Sequence, residues 1–215
     1  MWLPPSLKTV WRWPSSPSCR VSASKAGSDH LVRAWFHTYG LPVLTTNCSN
    51  NYGPNHFPEK LIPLCINNIK HNRPLPIYGK GENVRDWLHV EDHCNGIEKV
   101  LLHGKPGETY NIGGEQEWKN IDLVHEIIRQ VASLTGLDRV KLETQLVYVK
   151  DRPGHDHRYA IDCSKIKREL NWKPSPNFAE LLQATIRWYI ENPDWVENIT
   201  SGSYRDWLEK NYVSR

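Results

Sequence analysis

Lys25 is the residue whose type and position most directly indicate chemistry in this 215-residue chain. It lies in the run Ser22-Ala-Ser-Lys-Ala26, which has the form of the second half of a Tyr-x-x-x-Lys pair. A tyrosine with a pKa of about 10 acts as a base near neutral pH only if a nearby cation stabilises its phenolate. A lysine four residues later on a helix supplies that cation. Position 21, however, is Val21, which cannot ionise, so Lys25 is either the remaining half of such a pair or an ordinary helix-surface lysine.

The residues around Lys25 predict the element that carries it. Apolar residues at helical spacing predict a helix over residues 22–39, and the segments 43–46 and 108–112 have the pattern of strands in a parallel sheet. Because helices and strands alternate along the chain, the predicted fold class is α/β. Two such strands cannot close a sheet, so we expect an unpaired edge and expect Leu31 and Trp35 to remain exposed.

Two further patterns complete the predicted elements. The Asn-rich stretch 47–57 is predicted as a polar loop. Val90, Cys94, Ile97 and Leu101 recur at helical spacing and predict an apolar helix stripe. Residues 1–21 contain four prolines and no helix or strand period, so we interpret them as an irregular lead-in separate from 22–215.

Composition excludes several classes of protein. Hydrophobic residues make up 39% and charged residues 24%, as in soluble globular proteins, and a net charge of +3 is too small to indicate nucleic-acid binding. No stretch approaches the length of a membrane span and no secretory leader is recognised, so a cytoplasmic location is expected. The cysteines show neither a C-x-x-C pair nor metal-ligand spacing, so no metal site is predicted. They are Cys19, Cys48, Cys65, Cys94 and Cys163.

Seven sequence blocks together carry a resemblance to a known family. They are Ser22-Ala-Ser-Lys-Ala26, Thr46-Asn-Cys-Ser-Asn-Asn-Tyr-Gly-Pro54, Phe57-Pro-Glu-Lys-Leu-Ile-Pro63, Pro76-Ile-Tyr-Gly-Lys-Gly81, Arg85-Asp-Trp87, Tyr110-Asn-Ile-Gly-Gly114 and Asp151-Arg-Pro-Gly-His-Asp156. In this order, residues 22–215 resemble the dTDP-glucose 4,6-dehydratases, which are extended short-chain dehydrogenases/reductases of deoxysugar synthesis. The resemblance implies an incomplete Rossmann-like fold, in which a C-terminal part of the NAD domain is interleaved with a smaller sugar-nucleotide-binding domain.

The resemblance also implies a hydro-lyase reaction. NAD takes a hydride from sugar C4 while tyrosinate takes the C4 hydroxyl proton, an Asp–Glu pair drives loss of water across C5–C6, and the hydride returns to C6 to give dTDP-4-keto-6-deoxyglucose. The Asp–Glu pair has no counterpart in residues 1–21, and the tyrosine position holds Val21. A Gly-x-Gly-x-x-Gly turn is also absent, because Gly79-Lys-Gly81 lacks the third glycine and is predicted as a surface turn. We therefore expect no detectable catalysis.

The predicted site residues follow from the resemblance. The catalytic residue is Lys25, and the NAD-binding residues are Ser24, Lys25 and Asn51. The dTDP-sugar-binding residues are Asn50, Lys60, Leu61, Pro76, Ile77, Tyr78, Arg85, Asn120, His155, Asp156, His157, Arg158 and Tyr159. His157 departs from the basic residue usual at its position.

Each of these residues also has a structural interpretation. Arg85 and Asp86 could form a surface ion pair, and Tyr78 could be a core residue. Asn50 and Asn51 could be turn residues, and His155 a loop histidine. The joint occurrence of these residues at family spacing favours the binding interpretation for the set.

Three hypotheses about function follow. The chain is an active dehydratase, a non-catalytic dTDP-sugar-binding module, or a truncated product without a stable fold. The resemblance implies a homodimer built partly on the lysine-bearing helix, but the preceding helix that shares this interface has no counterpart in the chain. The intact set Lys60, Arg85 and His155–Tyr159 is the feature that distinguishes a binding module from a degenerate fragment. For the isolated chain, however, the unpaired sheet edge and the uncovered apolar face favour the truncated product without a stable fold.

Overall fold

The computed structural model describes residues 20–151 and 154–200, with side chains from residue 23 onward. Its helices are α1 (Arg20–Tyr39), α2 (Leu61–Lys70), α3 (Val90–His103), α4 (Asn120–Thr135), α5 (Arg139–Glu143), α6 (Ser164–Leu170), α7 (Phe178–Glu191) and α8 (Pro193–Thr200). Its strands are β1 (Thr45–Cys48), β2 (Asn50–Tyr52), β3 (Leu75–Tyr78), β4 (Val84–His89), β5 (Thr109–Ile112), β6 (Glu117–Lys119), β7 (Leu146–Val149) and β8 (Arg158–Tyr159). Most of the predicted lead-in, residues 1–19 with Cys19, lies outside the described residues.

The described strands form three small sheets. β1 pairs with β5 in parallel, which confirms that both predicted segments are strands of a parallel sheet, although β1 begins at Thr45 and not at residue 43. β4 is the centre of a second sheet and pairs with β2 and β8 in parallel and with β6 in antiparallel orientation. β3 and β7 form the third sheet, which is parallel. The α/β class is therefore confirmed.

The stretch 47–57 is not a continuous loop, which corrects the sequence prediction. Residues 50–52 form β2, with Asn50 opposite Trp87 and Tyr52 opposite His89. Asparagine is a poor strand former, but a central neighbouring strand can impose extended structure on such a segment. Tyr52, only 2% exposed, anchors β2 in the core beside Trp87.

A large core lies between α2, α4 and α7. The apolar side chains of α4 recur at helical spacing, and Ile127 and Ile128 are fully buried. Leu182 and Ile186 of α7 are likewise fully buried in the same cluster. Fully burying such side chains stabilises a fold by about 1.5–3 kcal/mol each, so this region has a core of its own.

A smaller core lies beside the β1–β5 pair. It contains Tyr110 and Ile112 of β5 together with Trp172. α1 adds little to it, because Leu31 is 65% and Trp35 52% exposed, as the sequence predicted. None of the helices in the described ranges has the length and apolar character that crossing a membrane requires.

The predicted apolar stripe on α3 is largely exposed. Ile97 is 41% and Leu101 70% exposed. A neighbouring face of α3 packs inward through Gly96 and Val100. A Cβ at Gly96 would lie 2.8 Å from Ile112 Cγ2, so the absence of a side chain allows this close contact.

Candidate active-site region

Cys48, at the carboxyl end of β1, lies where the predicted cofactor and sugar-nucleotide residues meet. The Asn51 amide donates to the Cys48 sulfur at 3.6 Å and to the Ser49 carbonyl at 3.1 Å. The Tyr159 hydroxyl donates to the Cys48 carbonyl at 3.5 Å. Burial raises the pKa of the Cys48 thiol, against the lowering effects of the Asn51 hydrogen bond and the Lys25 ammonium. Lys25 therefore acts electrostatically on the end of β1.

His93 on α3 fixes the orientation of the Asn51 amide. The two groups are joined by a hydrogen bond of 2.8 Å between His93 Nδ1 and Asn51 Oδ1. Because burial lowers the pKa of His93, the neutral ring with a proton on Nδ1 is the form that donates here. The Asn51 nitrogen is then directed to Cys48 and Ser49. Sequence reasoning missed His93, which lies in the first turn of α3 and belongs to no motif.

Arg85 and Asp86 are both buried, so their interpretation as a pair on the surface is wrong. Arg85 is only 8% exposed and Asp86 only 1%. Arg85 Nη1 donates to the Val84 carbonyl at 2.7 Å, and Nη2 donates to the Asp156 carbonyl at 2.8 Å. Arg85 also lies opposite Tyr159 in the β4–β8 register. Arg85 thus joins β4 to the predicted phosphate-binding segment.

Asp86 connects the two cores of the molecule. Its carboxylate accepts hydrogen bonds from the Gly114 amide at 3.1 Å and the Gln116 amide at 2.8 Å, both beyond the end of β5. The Ser49 hydroxyl also accepts from the Gly114 amide, at 3.3 Å. A Cβ at Gly114 would overlap the Trp87 carbonyl oxygen, so the chain can pass β4 this closely only with glycine here.

Asn83 is a second residue that sequence reasoning missed. It is 8% exposed, and its side-chain amide donates to the Asp156 carbonyl at 3.1 Å. Its own carbonyl accepts from the Asn120 amide at 3.0 Å. Asn120 is the first residue of α4, and its Oδ1 is buried without a hydrogen-bond partner. Three predicted binding residues are therefore joined through the start of β4.

His155 and Tyr78 form a separate group on the opposite side of the turn after β3. His155 Nδ1 lies 2.7 Å from Asp151 Oδ1, and the His155 ring lies 6.2 Å from the Tyr78 ring in an edge arrangement. Tyr78 is 49% exposed, which contradicts its interpretation as a core residue. Ile77, by contrast, is 2% exposed within the large core, and Pro76 is half-buried. His155 lies in irregular backbone before β8, as its interpretation as a loop histidine predicts, and its ring contacts Asp151.

Lys60 and Leu61 lie at the N-terminus of α2, as expected. Lys60 is the N-cap residue, and its ammonium pairs with Glu59 at 3.0 Å, while Leu61 is half-buried against the large core. Burial and the nearby Lys60 charge lower the pKa of His56. The carbonyl of His56 accepts a hydrogen bond of 2.6 Å from the buried Tyr189 hydroxyl, which anchors the approach to α2.

Arg158 is engaged by a protein carboxylate. Its guanidinium makes two hydrogen bonds to Glu117, at 2.7 and 2.6 Å, and this contact raises the pKa of Arg158 and lowers that of Glu117. His157 is exposed, and its carbonyl accepts from the Val84 amide at 2.7 Å. Ser24 is exposed on α1, whereas Asn50 is half-buried on β2. The ligand roles of these residues stay predictions.

A cavity of about 480 Å³ lies elsewhere in the described part of the chain. It is bounded by α2 and α8, with Lys70, Arg73, Tyr189 and Val196 among its lining residues. None of the predicted site residues lines it. The candidate functional site is instead the region around Cys48 and Asp156, where polar groups converge. The volume of a cavity does not by itself indicate a reaction or a ligand.

The residues present do not fit a complete NAD site. Lys25 and Asn51 could contact one edge of a nicotinamide nucleotide, but a pyrophosphate needs a turn of backbone amides at a helix N-terminus. Gly79 and Gly81 form instead the turn between β3 and β4, where Gly81 is buried against Ile77 and Ile121. No step of chemistry is therefore derived through NAD.

The described part of the chain offers no set of side chains that could bind a metal ion. No group of three or more His, Cys, Asp or Glu side chains there is arranged to hold a metal ion. Burial raises the pKa of the Cys65 thiol to about 12 and that of Cys163 to about 11, so these thiols are protonated near neutral pH. Together with Cys48 and Cys94 they are free cysteines.

Comparison with known proteins identifies the class and then the family. The model of a family described as GDP-mannose 4,6 dehydratase matches residues 12–185. A dTDP-glucose 4,6-dehydratase of Streptomyces venezuelae, solved with NAD and a second ligand bound, superposes with a TM-score of 0.80 at 46% identity, covering 88% of this chain and 56% of that one. The fold and these matches define an extended short-chain dehydrogenase/reductase. The chain belongs to the nucleotide-sugar 4,6-dehydratase family that the matching model describes.

Two curated relatives, both dTDP-glucose 4,6-dehydratases, show greater sequence identity to this chain than that structure does. The dTDP-glucose 4,6-dehydratase of Shigella flexneri is 55% identical over 213 residues, and one from Escherichia coli is 56% identical over 200 residues. These alignments cover 99% and 93% of this chain. The chain spans 58% and 55% of the lengths of these two relatives, as a C-terminal portion.

Proposed function

We propose that this chain carries the dTDP-sugar-binding portion of a dTDP-glucose 4,6-dehydratase and does not complete the dehydration by itself. The observation that carries this proposal is the convergence at Cys48 and Asp156. There, the side chains of Asn51 and Tyr159 contact Cys48, and the Arg85 guanidinium contacts Asp156. The position four residues before Lys25 holds Val21.

The chemistry of this region suits a nucleoside diphosphate sugar. Arginine and helix N-termini bind phosphate through charge and directed N–H groups. Arg85 provides the first of these features, and the N-terminus of α2 at Lys60 and Leu61 provides the second. The curated relatives are dTDP-glucose 4,6-dehydratases, so dTDP is the nucleotide and glucose the sugar in this proposal. Lys25 would hold a positive charge beside the sugar.

Catalysis is not proposed for the chain as written. NAD would supply the hydride acceptor for the reaction, and no side chain can replace it. Val21 cannot take a proton from a sugar hydroxyl. The loss of a general base alone reduces a rate by about 10²–10⁴-fold.

Binding and turnover of dTDP-glucose test the proposal in two separate assays. The first measures dTDP and dTDP-glucose binding by calorimetry, for the wild-type chain, for Arg85→Ala and for the control Arg129→Ala. Arg129 pairs with Glu126 on the outer face of α4 and has no place in the site. Saturable binding that Arg85→Ala weakens and Arg129→Ala leaves unchanged supports the proposal, whereas equal effects of the two variants contradict it.

The second assay follows formation of the 4-keto-6-deoxy sugar with NAD and dTDP-glucose present. No product above the uncatalysed background is expected, and turnover would overturn the statement that the chain is not catalytic. Thermal unfolding separates these results from a folding failure, because a ligand of the native state raises the unfolding temperature. Aggregation without a cooperative transition would favour the alternative of an unstable fragment.

A further inference from the structure

Asn83 occupies a position where three distant segments of the chain meet. It directly precedes β4, is 8% exposed, and donates its side-chain amide to the Asp156 carbonyl at 3.1 Å. Arg85 Nη2 donates to the same carbonyl at 2.8 Å. The carbonyl of Asn83 receives the Asn120 amide at 3.0 Å. One residue therefore connects β4, the N-terminus of α4 and the segment 154–159.

Two side-chain donors share the Asp156 carbonyl, and Asn83 contributes one of these two hydrogen bonds. A carbonyl oxygen has two lone pairs, so the Asn83 amide and the Arg85 guanidinium together satisfy it. The Val84 amide adds a third link through the His157 carbonyl at 2.7 Å. Removing the Asn83 amide takes away one of the two side-chain donors to the Asp156 carbonyl described above, and hence leaves a less constrained segment.

We infer that Asn83 is a positioning residue for the diphosphate-binding part of the site. This inference rests on the proposed function. Asn83 acts through others, because it holds Asp156 in register with Arg85 and keeps His155–Tyr159 beside β4. The thymidine part of a ligand gains nothing from this arrangement, whereas the diphosphate depends on it. Asn83 thus contributes to the difference in affinity between a nucleoside and its diphosphate.

The chain offers a matched control. Asn111 on β5 also donates its side-chain amide to a backbone carbonyl, that of Asp162, at 3.1 Å. The donor, the acceptor type and the distance are the same, but Asn111 lies in the β1–β5 region and holds no predicted binding segment. Any general effect of losing such a bond appears in both variants.

The test measures dissociation constants of dTDP and of thymidine at a temperature well below unfolding. Asn83→Ala should weaken dTDP binding about 5- to 10-fold, the equivalent of one hydrogen bond, and change thymidine binding less than about twofold. Asn111→Ala should change neither. Equal weakening of both ligands by Asn83→Ala, or equal effects of the two variants, would show that Asn83 has a general structural role and would overturn the inference.

A ligand-free measurement distinguishes failure of this inference from failure of the proposed function. Amide hydrogen exchange of Val84, whose N–H is bonded to the His157 carbonyl, reports whether the segment stays docked. Faster exchange at Val84 in Asn83→Ala but not in Asn111→Ala supports the positioning role even if the wild-type chain binds no dTDP. Unchanged exchange overturns it. Asn83→Ser, which keeps a short donor, replaces Asn83→Ala if the alanine variant does not fold.

Discussion

The region around α2, α4 and α7 is enclosed, whereas the region around the β1–β5 pair is open. α4 has 16 residues and its Ile127 and Ile128 are fully buried. α1 has 20 residues, yet Leu31 and Trp35 on it are more than half exposed. Isolated helices are marginally stable in water, so packing and not length decides which helix is firmly held. The predicted binding residues around Arg85 belong to the sheet next to the enclosed region, whereas Lys25 lies on α1 in the open region.

Truncating one leucine in each region gives the largest expected contrast. Leu182→Ala in α7 should lower the free energy of unfolding by about 2–5 kcal/mol, because Leu182 is fully buried and its loss leaves a cavity. Leu31→Ala in α1 should change it by less than about 0.5 kcal/mol, because Leu31 is 65% exposed. Urea denaturation measures both. Similar losses in the two variants would mean that α1 is covered in solution and that the two regions do not differ.

A smaller effect is expected at the connection between the regions. Asp86→Asn replaces a carboxylate that accepts two backbone amides with a group that has one acceptor oxygen, so one of these N–H groups loses its acceptor on residue 86 and faces an NH2 group instead. We expect a loss of about 1–3 kcal/mol in the free energy of unfolding. Asp162→Asn is the control, because Asp162 accepts from the Ser164 amide at an exposed helix start and should lose under about 1 kcal/mol. If Asp86→Asn loses no more than the control does, Asp86 does not hold the regions together.

The smallest effect is a dependence of stability on pH. Burial lowers the pKa values of His56, His89 and His93 below the ordinary 6.5. The unfolded chain therefore binds more protons than the folded chain as the pH falls below 6.5, so the free energy of unfolding decreases there and is greatest above that pH. Urea denaturation at about pH 7.5 and about pH 5.5 measures this decrease.

One variant assigns part of that dependence to the site. His93→Gln keeps a side-chain donor for Asn51 but cannot titrate in this range. The decrease in stability between the two pH values should be smaller than in the wild-type chain. If it is the same, His93 is as accessible to protons in the folded chain as in the unfolded one, and its burial against Asn51 is not maintained in solution.

Local pattern predicted much of the fold because some elements are stabilised by features close in sequence. The helix over 22–39 was recognised from its spacing, and the structure extends it only to Arg20. The two segments that form β1 and β5 are predicted as strands of a parallel sheet from their apolar residues, but their pairing with each other is seen only in the structure. The strand at 50–52 is missed because its conformation depends on pairing with β4, some 35 residues later. The stripe on α3 shows the same limit of a local pattern, since spacing identifies an apolar face but not whether a partner covers it.

The side chains available for binding and catalysis, and the family resemblance, follow from the sequence alone. Val21 at the position of an ionisable tyrosine, the cationic residues Lys60 and Arg85, and the ordered motif blocks can all be read without coordinates. Only the tertiary structure decided that Asp86 bonds beyond β5, that Arg158 pairs with Glu117, and that Asn83 shares the Asp156 carbonyl. The partners in these contacts lie 28, 41 and 73 residues apart. Helix and strand periodicity extends over only a few residues, so it carries no information about which distant groups meet.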